Sequence, residues 1–194
     1  METRPYDDVR IRPVRGTDAS ELAALHVRTS RMAHADIMPP HLVNAMTVAE
    51  RERRWIDIWT KAGADDATLV AEQDRRLIGF GHCSRQRDPS LPFAGEFCAV
   101  YVQPEMQRRG TGRALMQAMA RFLVSRGITA ASLWVMRDNR GARRFYEIIG
   151  GRLVAEKGEA RGGVTIAEVA YGWDDLGPLC GDGAALPGGR RATT

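Results

Sequence analysis

The sequence predicts a mixed α/β protein, with a central sheet of about seven strands and about four helices on its faces. Segments with the pattern of strands alternate with segments that have helical caps and periodicity. The chain has 194 residues and 44% of them are hydrophobic, which is enough for one domain with its own core. We expect that domain over residues 1–176. Residues 177–194 have almost no apolar content and are expected to form a disordered tail.

The strands are predicted from alternation or from apolar runs. Residues 9–15 alternate apolar and charged side chains, as a strand with one buried face does. Residues 67–72 and 76–82 flank a polar turn and predict a hairpin. Residues 95–102 are almost continuously apolar, which favours a strand buried on both faces. The later predicted strands are residues 131–136, 152–157 and 164–171.

The helices are predicted from capping residues and apolar spacing. Asp18 is expected to cap the first helix, and Thr47 with Glu50 has the spacing of a capping box for the second. A loop with two prolines, residues 34–41, separates them. A third helix opens at a glycine-rich turn, and a fourth stops at a Gly-Gly pair. The later helices are predicted over residues 47–59, from the turn to about 127, and over 140–149.

Charge and composition argue against several functional classes. The net charge is +4, and the arginines are scattered along the chain, so we expect a solvated surface and no nucleic-acid partner. No apolar run approaches the roughly 18 residues of a membrane span, and no N-terminal secretion signal is evident. Cys83, Cys98 and Cys180 show no paired spacing. These features predict a cytoplasmic protein without a membrane partner.

The segment EMQRRGTGRAL, residues 105–115, predicts a phosphate-binding turn. It places Gly110 and Gly112 among arginines at the start of a helix. The first turn of a helix has backbone N–H groups without internal partners, and the macrodipole makes that end positive. Glycine lets a bulky anion approach those N–H groups.

Other phosphate-binding motifs match this turn poorly. A P-loop needs a lysine after its last glycine, and no suitable glycine here has one. A dinucleotide fingerprint needs a third glycine where Leu115 stands, and its turn should follow the strand directly. Asp138, after the next strand, is the one residue that matches this fingerprint. A serine hydrolase is disfavoured because no G-x-S-x-G occurs.

Two motifs in order carry a family resemblance. Residues 107–113 follow Val102 and Pro104 and resemble the acyl-CoA signature Q/R-x-x-G-x-G/A of the GNAT superfamily of N-acetyltransferases. The segment RDNRGARRFYEIIGGRL resembles the second signature of that family, with a departure at Gly151 and Arg152 where the family usually has Gly-Phe. The second signature is matched at Asn139, Ala142, Phe145, Tyr146, Glu147 and Gly150. The resemblance covers residues 9–172, and its specific part is 96–151.

The resemblance implies a mostly antiparallel sheet that splays apart between its two central strands. It implies acetyl-CoA as co-substrate and no metal, with the pyrophosphate on the N–H groups of residues 108–113 and the pantetheine arm along residues 100–102. Asn139 is expected to contact the cofactor, to cap a helix, or both. The implied cofactor contacts are Val100, Tyr101, Val102, Gln107, Arg108, Arg109, Gly110, Thr111, Gly112, Arg113, Asn139, Ala142 and Tyr146.

The same resemblance suggests the catalytic groups. Tyr146 is expected to protonate the departing CoA sulfur. Glu96 stands where many relatives have an acidic residue, and we expect it to accept the proton of the amine through water. A carboxylate of pKa about 4.3 is a poor direct base for an ammonium of pKa about 10. The expected reaction is direct attack by the amine in a ternary complex.

The acceptor is the open part of the prediction. A small-molecule primary amine is favoured, with a peptide N-terminus or lysine as an alternative, and a CoA-binding sensor without activity as another. His34, Asp36 and His41 share a loop, but their spacing fits no known zinc site. A homodimer is an assembly that the resemblance allows.

Overall fold

The computed structural model describes residues 9–181, which are built around one sheet of seven strands. The strand order is β1-β2-β3-β4-β5-β7-β6. Neighbouring strands are antiparallel, except that β4 and β5 are parallel. The predicted mixed fold is therefore confirmed. The strands are β1 Arg10–Pro13, β2 Ala67–Gln73, β3 Arg76–Arg85, β4 Gly95–Val102, β5 Ala131–Met136, β6 Arg152–Arg161 and β7 Val164–Trp173.

Four longer helices match the predicted ones, and two short helices were not predicted. The helices are α1 Ala19–His34, α2 Pro40–Asn44, α3 Val48–Thr60, α4 Thr111–Ser125, α5 Arg140–Ile148 and α6 Gly177–Cys180. Helix α2 begins inside the predicted loop, because Pro40 occupies the first helical position, where a missing N–H costs nothing. Within residues 9–181, no helix is both long enough and apolar enough to cross a bilayer.

The helices cover the two faces of the sheet. On one face, Leu22 of α1 and Trp55 of α3 pack against Phe80 of β3. On the other face, Leu115 of α4 and Tyr146 of α5 belong to the larger core cluster. Side chains alternate between the faces along each strand, so the helices bury both sides of the sheet.

The capping box predicted for α3 is confirmed. The hydroxyl of Thr47 accepts from the Glu50 N–H at 3.2 Å, and the Glu50 carboxylate accepts from the Thr47 N–H at 3.3 Å. The predicted hairpin turn also forms, with Asp74 and Arg75 both at positive φ.

The capping role predicted for Asp18 is wrong. Its carboxylate makes no cap hydrogen bond to α1 and accepts instead from the Arg15 N–H at 2.7 Å. The guanidinium of Arg12 in β1 donates to both oxygens of Asp18, at 2.7 and 3.0 Å. Arg12 also pairs with Glu72, so a side chain predicted on the charged face of β1 is buried in an ion-pair network.

The two central strands separate, as the resemblance implied. Strand β4 pairs with β5 only at Gly95 and Glu96. Its pairing with β3 has an irregularity between His82 and Cys83, which leaves Cys98 as an extra residue in β4. The predicted burial of β4 on both faces holds only for its first three residues, because the remainder lies beside the opening.

The chain stays ordered beyond the predicted end of the domain. Residues 177–180 form α6, and Leu176 and Leu179 are buried in the core. The Arg121 guanidinium donates to the Cys180 carbonyl oxygen at 2.6 Å. The expected disorder is therefore wrong for residues 177–181, and residues 182–194 lie outside the described part of the chain.

Candidate functional site

The turn before α4 presents free backbone N–H groups. Gly110 precedes the helix at φ 90°, a conformation that favours glycine. The first helical hydrogen bond runs from the Ala114 N–H to the Gly110 carbonyl at 2.9 Å. The N–H groups of residues 111–113 therefore precede the helical ladder and lie at the positive end of the helix dipole. This arrangement is suited to a phosphate.

The side chains of this turn divide into two kinds. Gln107 donates to the Val102 carbonyl at 3.1 Å, so it fastens the turn to the end of β4. Arg108, Arg109 and Arg113 are exposed and supply positive charge beside the free N–H groups. Arg108 also has φ 60°, which is uncommon for a non-glycine residue and typical of functional turns.

Strand β4 offers a backbone edge next to this turn. Val100, Tyr101 and Val102 pair with β3 along one side. Along the other side β4 has already parted from β5, so its N–H and C=O groups face the opening. An amide-containing chain could add there as an extra strand. The strand also brings Val100 and Val102 to the α4 face, and Tyr101 to the face of α1 and α3.

Tyr146 lies in α5 on the α4 face of the sheet. Its side chain is 8% exposed, and its ring packs at 6.0 Å from Tyr171 and edge-on at 6.3 Å from Trp173. Burial raises the pKa of the Tyr146 phenol well above its usual range. The hydroxyl makes no hydrogen bond to any residue between 9 and 181. It is therefore a protonated donor that the fold leaves unused.

Asn139 is the N-cap of α5. Its side-chain oxygen accepts from the Ala142 N–H at 3.1 Å, and Ala142 packs against the larger core. The capping role considered for Asn139 is thus present. Its oxygen is used within the helix, which leaves the amide nitrogen for other contacts.

Glu96 is 7% exposed and is held by Arg87. The Arg87 guanidinium donates to the two carboxylate oxygens at 2.8 and 2.5 Å, and the Arg87 N–H donates at 3.2 Å. A carboxylate has about four acceptor sites, so about one remains. Because Phe97 packs on the α4 face, Glu96 points to the opposite face. Arg87 could not be predicted from the sequence, since its pairing with Glu96 depends on how the loop after β3 folds back.

The opposite face also holds a buried histidine, His26, which was not predicted as a site residue. The Trp55 indole donates to Nδ1 of His26 at 3.0 Å, and the His26 ring lies 4.8 Å from the Tyr101 ring. Burial, aided by nearby arginines, lowers the pKa of His26 to about 3. His26 follows Leu22 by four residues, which places it on the apolar stripe of α1, and this spacing was the signal that could have identified it. The predicted loop histidines are not part of any metal-binding group within residues 9–181.

Comparisons with known proteins agree with this geometry. The profile of the acetyltransferase (GNAT) family matches residues 32–150. The chain is 30% identical over 172 residues to the uncharacterized N-acetyltransferase YuaI of Bacillus subtilis (strain 168), covering 88% of this chain and 96% of that protein. It is 29% identical over 147 residues to a mycothiol acetyltransferase of Rhodococcus jostii (strain RHA1), covering 74% of this chain and 46% of that protein.

The fold also matches solved structures. One is the PaiA N-acetyltransferase of Thermoplasma acidophilum in complex with coenzyme A, at a TM-score of 0.64 and 20% identity, covering 83% of this chain and 98% of that one. The matched profile spans more than half of the chain, and the relative in Bacillus subtilis is similar over nearly its whole length. This chain belongs to the GNAT acetyltransferase family and is an acyltransferase.

Proposed function

We propose that this protein transfers the acetyl group of acetyl-CoA to a primary amine by direct attack in a ternary complex. The observation that carries the proposal is the open edge of β4 between the N–H groups of the α4 turn and the unused hydroxyl of Tyr146. Those features suit the phosphates, the amide-containing arm and the leaving sulfur of one ligand. Acetyl-CoA supplies an activated acyl group as a thioester.

The cofactor contacts follow from this fit. The N–H groups of Thr111, Gly112 and Arg113 would bind the pyrophosphate, and the exposed arginines of the turn would add charge. Residues 100–102 would hydrogen-bond the pantetheine arm through their open backbone edge. A backbone N–H of the same segment would stabilise the thioester oxygen as it gains negative charge.

Tyr146 would donate its proton to the departing sulfur. A tyrosine phenol is protonated at neutral pH, and the hydroxyl of Tyr146 has no competing partner among the described residues. A thiolate stabilised by such a donor leaves more readily.

Glu96 would accept the proton of the amine through a water molecule. Arg87 occupies most of the acceptor sites of the carboxylate, so direct contact with an ammonium would meet the neighbouring positive charge. A water bound at the remaining site of Glu96 could relay the proton. The carboxylate lies on the face opposite α4, which is the side from which we expect the acceptor to enter.

A small-molecule acceptor is the favoured class. The chain resembles mycothiol acetyltransferases over about three quarters of its length, although it spans about half of the relative in Rhodococcus jostii. The acceptor side, formed by α1–α3 and the β6–β7 hairpin, is where substrate preference would be set.

The test is release of free thiol from acetyl-CoA by the purified protein across small amines and short peptides. We expect thiol release, with matching N-acetylated product by mass spectrometry, for small amines. Release with peptides alone would reassign the acceptor. Binding of acetyl-CoA with no release for any amine would indicate a CoA sensor and overturn the proposal.

A further inference from the structure

A cavity on the acceptor face carries uncompensated positive charge. It measures about 340 Å³ and lies between α2 and α3. Its lining consists of Leu42, Ala45, Met46, Glu50, Arg51 and Arg54. Neither arginine forms a salt bridge to any residue in the range 9–181.

Arg51 is the central group of this cavity. Its Nε is buried and has no hydrogen-bond partner among the described residues. Burial, together with the charge of Arg54, lowers the pKa of the Arg51 guanidinium. A buried guanidinium N–H without a partner is costly, and a bound anion would offset that cost.

Glu50 is the one carboxylate among the lining residues. Glu50 accepts hydrogen bonds from both the hydroxyl and the N–H of Thr47 in the capping box of α3. Glu50 raises the pKa of Arg51, but by less than burial and Arg54 lower it. Arg161, another cation near this face, is neutralised by Glu159 and Glu168, at 2.7 and 2.9 Å. The lining therefore has two cations, Arg51 and Arg54, one carboxylate, Glu50, and a net positive charge.

The cavity lies near two elements of the acceptor side. Burial raises the pKa of Tyr101 in β4, while a hydrogen bond with Ser30 and the charge of Arg51 lower it, so Arg51 acts electrostatically on the strand that faces the opening. Leu42 contacts Gly162 at the turn of the β6–β7 hairpin. Arg31 donates to the Met46 carbonyl at 2.8 Å, which fixes the link between α2 and α3. The residues that line the cavity are thus held in place by contacts with α1 and with the β6–β7 hairpin.

We propose that Arg51, assisted by Arg54, binds an anionic group of the acceptor, so that the substrate is a primary amine that also carries a carboxylate or a phosphate. This inference rests on the proposed acetyl transfer. The buried Nε and the fork of the guanidinium suit a planar carboxylate or the oxygens of a phosphate. The amine would then extend from the cavity toward the opening of β4.

The experiment compares matched acceptors that differ in the anion. Glycine, β-alanine and 2-aminoethyl phosphate are compared with glycinamide, β-alaninamide and ethanolamine, using thiol release from acetyl-CoA. We expect kcat/KM at least about tenfold higher for the anionic members, because a charge-assisted hydrogen bond of this kind contributes about that factor. Comparing the two amino acids with 2-aminoethyl phosphate shows whether a carboxylate or a phosphate is the preferred anion. A preference for the neutral members would overturn the inference.

Two variants assign the preference to the cavity. Arg51→Gln should reduce the preference for anionic acceptors to about twofold or less, and Arg54→Gln should weaken it partially. Arg53→Gln removes the same charge from an exposed position of α3 outside the lining and should leave the preference intact. An unchanged preference in a folded Arg51→Gln protein, verified by its melting temperature, would contradict the assignment.

A binding measurement keeps this inference separate from the proposed activity. Calorimetric titration with N-acetyl-β-alanine and with its amide needs no turnover. We expect the carboxylate form to bind at least about tenfold more tightly, with the difference lost in Arg51→Gln. Equal affinities, or no binding of either form, would overturn the anion site. Absence of thiol release with every amine would instead count against the proposed function.

Discussion

At the scale of single residues, the proposed proton donor is Tyr146 of α5. Its ring is packed among Phe145, Tyr171 and Trp173, and the residue is 8% exposed. Its hydroxyl makes no hydrogen bond to residues 9–181 and is not among the buried polar atoms without a partner, so the oxygen reaches the surface. A donor held in this way is available to a ligand that enters the opening.

Tyr146→Phe should lower kcat by about a hundredfold, which is typical of the loss of a general acid. Acetyl-CoA affinity should stay within about twofold. The free energy of unfolding should not fall, since no internal hydrogen bond is lost. Steady-state kinetics, calorimetry and urea unfolding measure the three quantities. A stability loss with unchanged kcat would mean that the hydroxyl is structural.

Glu96→Gln tests the proton acceptor. We expect kcat/KM at pH 7 to fall by about a hundredfold, because most of the amine is then protonated and nothing accepts its proton. The defect should shrink toward pH 9.5, where the amine loses its proton to solvent. Thiol release measured from pH 7 to 9.5 shows this convergence. A constant defect at every pH would indicate that Glu96 only positions Arg87.

At the scale of elements, the site depends on how closely β3, β4 and α4 approach each other. Gly79 of β3 permits this contact. A Cβ at that position would lie 2.9 Å from the Tyr101 carbonyl oxygen and 3.3 Å from side-chain atoms of Leu115 and Val102. The backbone of β4 would have to shift at the segment that faces the opening.

Gly79→Ala should therefore destabilise the protein by about 1–3 kcal/mol and weaken acetyl-CoA binding. Gly16→Ala is the matched control, because a Cβ there meets no atom within 4 Å. The control should change the free energy of unfolding by less than about 0.5 kcal/mol. Urea denaturation of both variants measures this. Equal stabilities would mean that β4 accommodates the methyl group.

At the scale of the whole molecule, buried histidines couple stability to pH. Burial lowers the pKa of His26, His34 and His82 in the folded protein, to about 3 for His26. Protons therefore bind the unfolded chain more tightly, and stability falls as pH decreases below about 6.5.

Between pH 7 and 5.5, His26 alone should contribute a loss of about 1 kcal/mol in the free energy of unfolding. His26→Gln keeps an acceptor for the Trp55 indole and should remove that share of the pH dependence. His41→Gln makes the same substitution at an exposed position and serves as the control. Urea unfolding at both pH values measures the slope. An equal slope in the wild type and His26→Gln would contradict the buried, neutral state of His26.

Local signals account for what could be predicted from the sequence. Apolar periodicity and the capping box at Thr47 and Glu50 located the long elements, and glycine chemistry located the turn at Gly110. Interactions between distant segments were not predictable in this way. Arg12 forms ion pairs with Asp18 and Glu72, and Arg87 forms an ion pair with Glu96. These contacts exist only once the chain is folded. Helix α6 is stabilised by the burial of Leu179 in the core. The glycine-rich sequence around Leu179 gives no local signal for this helix.

Calorimetric titration with acetyl-CoA of the wild type, Gly110→Val and Gly127→Val tests the central claim most directly. Both glycines flank α4 at positive φ, at 90° and 76°, and a Cβ at either meets no protein atom within 4 Å. The two changes therefore introduce similar strain at opposite ends of one helix. We expect binding by the wild type and Gly127→Val, and affinity at least about tenfold weaker for Gly110→Val, whose side chain would stand beside the phosphate-binding N–H groups. No binding by the wild type, or equal weakening by both variants, would contradict the assignment of this turn to coenzyme A.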